Sequence, residues 1–485
     1  MNSRRKFLRN ALQAGAAGAT LGRFGVLNAF ASQTAATSSY KALVCVFLYG
    51  GNDSNNLIVP VATSGSNYSA YASIRQNLAL AAPSTSAPAG TALLPISFGA
   101  DTYGLHPQLA ALQGLWNTKR LAVVANVGTL VAPTTRAQFL SPPTTVTLPN
   151  NLFSHADQVA GMQTATPLGF ATNGWGGRLA DVIGQLGLNP ISATFPALIS
   201  VTGTSLFGTG AATHPAAVPP GAAIGLQGYD TSQAAADRLF ALKSILSQEL
   251  LQTSSGAALI REAASITQNG INDSDKLNLA LKGAKGIATA FPTTSIGQQL
   301  LEVAKLIQVR DALGMNRQIF FCSLGGFDTH STQLTDQGNL FSQLNAALAA
   351  FEQSLDAELS DVAGGVTLFT ESDFNRTTQP NSNGGSDHAW GSHHLVLGPG
   401  VQGGKLYGKF PTIALNSTDD AGGEGRWIPT TAVDQYGATL AQWFGVPKSN
   451  LATVFPNLVN FQIAASKLPP TYPVYADPTN VGFMG

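Results

Sequence analysis

Carboxylate and imidazole side chains recur beside short glycine turns in this chain of 485 residues, and such groups bind metal ions or move protons. The richest stretches are Gly325-Gly326-Phe327-Asp328-Thr329-His330, Thr370-Glu371-Ser372-Asp373-Phe374-Asn375-Arg376 and Ser386-Asp387-His388-Ala389-Trp390-Gly391-Ser392-His393-His394. An earlier turn, Tyr49-Gly50-Gly51-Asn52-Asp53, delivers one more carboxylate, which reads either as a ligand or as a helix N-cap. Mixed Asp/His sets suit zinc, manganese or iron, and carboxylate-rich sets suit calcium or magnesium. The expected cofactor is therefore a divalent metal ion, with Asp53, Asp328, His330, Asp373, Asp387 and His388 as candidate ligands. One of His393 and His394 must point away from any shared site if that segment is extended. Ser154, in Leu152-Phe153-Ser154-His155-Ala156-Asp157-Gln158, stands before a helix-like run. It reads as a nucleophile or as a plain N-cap, at a helix terminus suited to phosphate or sulfate. His155 is a candidate base or ligand, and Arg376 a candidate partner for a substrate anion.

These groups need strands to position them. Ala42 to Leu48 is a continuous apolar run, the pattern of a strand covered on both faces, and Leu121 to Val127, Ile319 to Leu324 and Val366 to Phe369 are further largely apolar, strand-like runs. Gln337 to about Leu359 reads as an amphipathic helix, so Ile319 to Phe369 forms a β-α-β unit. Such crossovers make parallel strands, which brings the segments after both strands to one sheet edge, where ligands of open α/β sheets bind. A further strand, Leu395 to Leu397, follows the third histidine-bearing stretch. Helical spacing over 230–316 predicts a helical segment packed on the sheet. The fold class expected is α/β, a mostly parallel central sheet with helices on both faces.

Composition narrows the function. Lys plus Arg equals Asp plus Glu at 26 each, and charged residues are 11% of the chain, against a usual value of about 25%. With no basic run after residue 31, neither nucleic acid nor a polybasic membrane contact is expected. No segment after residue 31 has the roughly 18 consecutive apolar residues of a membrane helix. Cys45 and Cys322 sit inside strand-like runs and read as packed core thiols, not a disulfide scaffold. The start of the chain differs in kind: Arg4-Arg5, a weakly apolar Ala/Gly stretch and Ala29-Phe30-Ala31 have the form of a twin-arginine export signal. The expectation is a signal over 1–31 recognised by the twin-arginine translocase, then a single domain over 32–485, in a periplasm or outside the cell.

Together the motifs resemble a bacterial family exported by the twin-arginine route and known as domain of unknown function 1501. The resemblance rests on Phe47 to Asp53, Leu105-His106-Pro107, Phe153-Ser154-His155, Gly174-Trp175-Gly176-Gly177-Arg178, Gly326 to His330, Ser372 to Arg376, and Asp387 to Gly391 with His394. That family is similar to the alkaline phosphatase and sulfatase superfamily. The likeness implies an alkaline phosphatase-like fold, a nucleophile at Ser154, and metal ligands at Asp53, Asp328, His330, Asp373, His388 and His394. Superfamily enzymes have Asp-x-x-x-His where this chain has Asp328-x-His330, and Thr-x-Asp-His where it has Thr370-Glu371-Ser372-Asp373. These departures are compatible with a one-metal or altered site. The implied activity is metal-dependent hydrolysis of small anionic phosphate or sulfate esters, in which Ser154 attacks and Arg376 steadies the anion. The competing expectation is an exported binding or assembly protein whose catalysis has lapsed, acting with other cell-surface proteins. A carbohydrate-binding surface built on Trp390 and Trp427 is a third.

Overall fold

The computed structural model describes residues 40–141, 146–190, 195–221 and 258–485, with Ala193 and Ala241 between. The export signal over 1–31 and the 230–257 part of the expected helical segment, Ala241 apart, lie outside the described residues. Strands are β1 (Lys41–Leu48), β2 (Ile58–Ala62), β3 (Leu94–Phe98), β4 (Asp101–Leu105), β5 (Leu121–Gly128), β6 (Leu198–Ser200), β7 (Ala216–Ala217), β8 (Arg317–Leu324), β9 (Val366–Ser372), β10 (Ser392–Leu397), β11 (Lys405–Gly408) and β12 (Thr431–Ala432). The helices used below are α1 (Ser54–Leu57), α2 (Tyr68–Arg75), α3 (Ala110–Asn117), α4 (His155–Thr164), α5 (Trp175–Gln185), α6 (Ala258–Lys282), α7 (Ser295–Gln308), α8 (Gln333–Ala357) and α9 (Val433–Phe444).

Among the described residues the main sheet has nine strands in the order β11-β5-β10-β9-β1-β8-β6-β7, with β12 also on β5. β1 lies between β8 and β9 and runs parallel to both, so the β8-α8-β9 crossover spans the first strand. β10 alone is reversed, antiparallel to both β9 and β5. β2, β4 and β3 form a separate antiparallel sheet.

The apolar run in β1 explains the layering. Val44, Val46 and Leu48 pack into one core with Leu300 and Val303 of α7 and Leu344 and Phe351 of α8. Leu43, Cys45 and Phe47 enter the opposite core with Trp175 and Leu179 of α5 and Tyr436 and Leu440 of α9. Side chains alternate across a strand, so a strand buried on both faces must be apolar at every position. This α/β architecture, a mostly parallel sheet with helices on both faces, is the one expected. The described part of the helical segment forms α6 and α7. Cys45 and Cys322 are free and buried, in opposite cores. Among the described residues no helix is long and apolar enough to cross a membrane.

The topology fixes an edge. β1, β8 and β9 end together, and the reversal of β10 brings the segment before it, Ser386 to Gly391, to that same edge. Phe320 is fully buried at the centre of β8. Phe320→Ala is expected to lower unfolding free energy by about 3–5 kcal/mol; a loss under about 1 kcal/mol in denaturant titration would contradict the layering.

Candidate metal centre

Four possible donors come to this edge, and the ligand atoms of His155, Asp328 and His388 form the compact set among them, with His330 beside Asp328 and His388. Asp328 and His330 lie in the turn after β8, drawn in by Phe327 N–H donating to the Tyr49 carbonyl at 3.1 Å. That approach needs glycine at position 50: its φ is +109°, and a Cβ there would stand 2.5 Å from the Asp328 nitrogen. His388 is placed by backbone pairing of the loop after β9 with the segment before β10, through Thr377 N to Asp387 O at 2.8 Å, Asn375 N to Trp390 O at 3.0 Å and Ala389 N to Asn375 O at 2.8 Å. His155 opens α4, behind a strained lead-in in which Asn151 and Phe153 have φ of 39° and 75°. Strain of this kind in a bulky residue is held in place by its surroundings and clusters at functional sites.

His155 Nε2 lies 3.1 Å from His388 Nε2, which lies 3.0 Å from His330 Nε2. Asp328 Oδ1 is 3.0 Å from His330 Nε2 and 3.4 Å from both His155 Nε2 and His388 Nε2. The far side of each ring is engaged: His155 Nδ1 faces Asp373 Oδ2 at 2.8 Å, His330 Nδ1 faces Asp387 Oδ1 at 3.1 Å, and His388 Nδ1 faces the Phe153 carbonyl at 2.6 Å.

These partners decide the tautomers. A carbonyl only accepts, so His388 Nδ1 carries the proton, and the carboxylates of Asp373 and Asp387 favour the same form in His155 and His330. A neutral imidazole then presents a bare Nε2 lone pair. Three such lone pairs and a carboxylate oxygen crowded together repel one another unless protons or a cation lie among them. Imidazole Nε2 atoms backed by carboxylate or carbonyl on Nδ1, together with a carboxylate, are a common transition-metal donor set. Bonds of about 2.0–2.1 Å in a tetrahedron separate donors by about 3.3–3.4 Å, near the 3.1–3.4 Å between the ligand atoms of His155, His388 and Asp328; His330 Nε2 approaches Asp328 and His388 but stands outside that compact set. The residues therefore fit an ion such as zinc; Ca²⁺ and Mg²⁺ prefer oxygen ligands.

The electrostatics agree. Partial burial opposes the charge on Asp328, but the Arg376 guanidinium, donating to Oδ1 at 2.8 Å, and the neighbouring histidines outweigh it, and the carboxyl is held below its usual range. The hydrogen bond to Asp373 raises His155, whereas burial lowers His388. Asp387 is lowered because hydrogen bonds from Asn381 and His330 outweigh its partial desolvation.

The family model described as Protein of unknown function (DUF1501) matches residues 40–422, a span that includes all four donors and their partners. The chain belongs to this family. No curated protein matches it. Among solved structures it is similar to that of Ps i-CgsB in complex with k-i-k-neocarrahexaose, at 10% identity over 87% of this chain and 76% of that one, with a TM-score of 0.32. It is also similar to the lipoteichoic acid synthase LtaP from Listeria monocytogenes, at 8% identity over 81% and 76%, with a TM-score of 0.30. Overlaps this loose assign no function.

The other expected site residues fall elsewhere. Asp373 and Asp387 support the histidine rings. Asp53 is buried, caps α1 through Asn55 N–H at 3.1 Å, and is held by Arg75 and Gln333, so it stands apart from the cluster. Ser154 Oγ donates to Asp157 Oδ2 at 2.7 Å, within the first turn of its own helix, and is not joined to the donors. His394 is buried in β10 against Tyr436, and His393 accepts from Asn126 N–H at 3.0 Å; neither enters the centre. Glu371 points into the core, where Trp175 Nε1 donates to it at 3.2 Å and burial holds its carboxyl well above the usual range. Trp390 and Trp427 are buried, with indole N–H groups donating to Thr129 O and Asn55 Oδ1, so neither offers a stacking surface for sugars. Sequence reading missed the Phe153 carbonyl, a backbone group whose role no side chain in the run signals.

Removing a ring's partner should loosen the site without unfolding the chain. Asp387→Ala is expected to weaken zinc binding by about 10–100-fold in chelator competition. Metal binding displaces protons from its ligands. His155 is raised and so competes first: retention should begin to fall above the ordinary histidine pKa of about 6.5 as pH drops, and Asp373→Asn should move that onset lower. An onset unchanged by Asp373→Asn would contradict the assignment.

Proposed function

We propose that this chain is an exported metal-dependent hydrolase acting on phosphate or sulfate esters. The observation that carries the reading is the convergence of the three Nε2 atoms with Asp328 Oδ1, each ring fixed from behind. Its position supports the reading too, at the carboxyl edge of a parallel sheet. The Asp328 side chain is 48% exposed and that of His330 44%, so the centre opens to solvent on one side, as a catalytic metal site requires.

A divalent transition ion held there would supply Lewis acidity toward an ester oxygen. His155, His388 and Asp328 would hold it, with His330 beside them. Asp373, Asp387 and the Phe153 carbonyl orient the rings, and Arg376 keeps Asp328 ionised and fixed. The Arg376 side chain is wholly buried and acts through Asp328 rather than on substrate. The ester class rests on the resemblance carried by the sequence motifs. The paired arginines at Arg4-Arg5 support export in the folded state, with metal loaded before translocation to a periplasm or the exterior.

One observation favours the rival reading, an exported binding or assembly protein with lapsed catalysis: the Ser154 hydroxyl is committed to Asp157. Elemental analysis of purified protein and a phosphate- and sulfate-ester screen separate the two. Stoichiometric transition metal that is lost in Asp328→Ala, with ester turnover lost in parallel, is expected. A folded wild-type chain that takes up no metal under any loading condition would overturn the hydrolase.

A further inference from the structure

Resting on the hydrolase reading, we infer that Arg426 is the residue that recognises the substrate's anionic group. A mono- or dianionic ester needs a positive charge it can touch. Arg376 has none to offer: its side chain is fully buried, Nη1 is spent on Asp328 Oδ1, and Nε and Nη2 are sealed from solvent. Arg75 is likewise buried, bound to Asp53.

Arg426 is placed differently. Its Nε donates to the His388 carbonyl at 2.9 Å, and its guanidinium lies over the Phe153 ring with Cζ 5.1 Å from the centroid. Those are the two residues that meet where His388 Nδ1 faces the Phe153 carbonyl, so Arg426 is clamped to the shell of the centre from two directions. The side chain is 23% exposed, and its only ion-pair partner among the described residues is Glu424, 2.6 Å from Nη1 and itself 47% exposed. An exposed pair of this kind contributes little to stability. Among the described residues Nη2 has no partner and remains for a ligand, and a planar guanidinium suits phosphate or sulfate oxygens. Glu424 competes for the same group and holds it at the rim until an anion replaces the carboxylate.

This arrangement gives opposed expectations for two neighbouring changes. In calorimetry with inorganic phosphate and, separately, sulfate on the zinc-loaded full chain, Arg426→Gln should weaken binding by about tenfold or more. Arg426→Lys should fall between the two, and Glu424→Gln should tighten binding by several-fold. Zinc content measured on each variant should match the wild type, and KM for an anionic ester should follow the binding order. If Arg426 only braces the loop, Glu424→Gln would weaken binding or leave it unchanged, and that result overturns the assignment. Equal phosphate binding by wild type and Arg426→Gln does the same while leaving the hydrolase standing. A zinc-loaded wild type that binds neither anion overturns the assignment, and a wild type without zinc sinks the hydrolase reading itself.

Discussion

A neutral imidazole has one lone pair to give, and the direction it points is set by whatever takes the proton on the other nitrogen. Three such directions are fixed here by Asp373, Asp387 and the Phe153 carbonyl, which come from three separate chain segments and share no covalent route. The consequence is a knot of acceptors that needs protons or a cation among them. Rotating any one ring to relieve the repulsion would strand a buried or half-buried partner, which costs about 1–3 kcal/mol. The fold therefore holds the crowding in place, and the sheet edge, the reversed β10 and the glycine at position 50 all serve to bring those segments within reach.

Behind the centre lies a second, drier network that keeps the edge rigid. Asp53 accepts from Arg75 and Gln333, and Gln337 Nε2 donates to the Asp53 carbonyl at 2.7 Å, which ties the turn after β1 to α8. Arg75 Nη1 also donates to the carbonyls of Thr377 and Thr378 at 3.0 and 3.1 Å, just beyond Arg376. A buried pair gains little over an apolar substitute, but removing one member leaves an uncompensated charge and costs about 3–5 kcal/mol. The first-strand aspartate thus acts as an anchor for two loops, one carrying Asp328 and the other Asp373 and Arg376.

Most of this framework could be read from the sequence, because burial on both sides of a sheet leaves an unmistakable trace: every position of β1 from Ala42 to Leu48 is apolar. The β8-α8-β9 unit followed from the same trace, and with it the shared edge at which Asp328, His330 and Asp373 emerge. What could not be read was which polar groups face one another across that edge. Asp53 and Asp328 both follow glycine turns, and partners remote in sequence, Arg75 on a helix 22 residues downstream of Asp53 and Gln333 on α8, separate anchor from ligand. His394 sits beside His393 in a strand, where alternation tells that the two diverge but not that both end in packed surroundings. Ser154 and His155 are adjacent, and the helix start that favoured the hydroxyl equally orients the imidazole; the choice was made by Asp157 capturing Oγ and Asp373 capturing Nδ1.

The distribution of charge around the centre follows from burial more than from residue type. Arg376 and Asp328 form one pair with unequal exposure, the guanidinium enclosed and the carboxylate 48% open. A guanidinium stays protonated even when burial lowers its pKa, as it does here, so its field falls on the one carboxylate it contacts and holds that group charged where an ion can use it. The same burial denies Arg376 any contact with a substrate. Anion recognition is thereby separated from ligand activation and passes to a cation on the rim, where solvent weakens the competing Glu424 pair enough for exchange. On the proposed reading, one arginine facing inward and another outward would let the site attract a negative substrate without that substrate competing for the charge that keeps Asp328 in place.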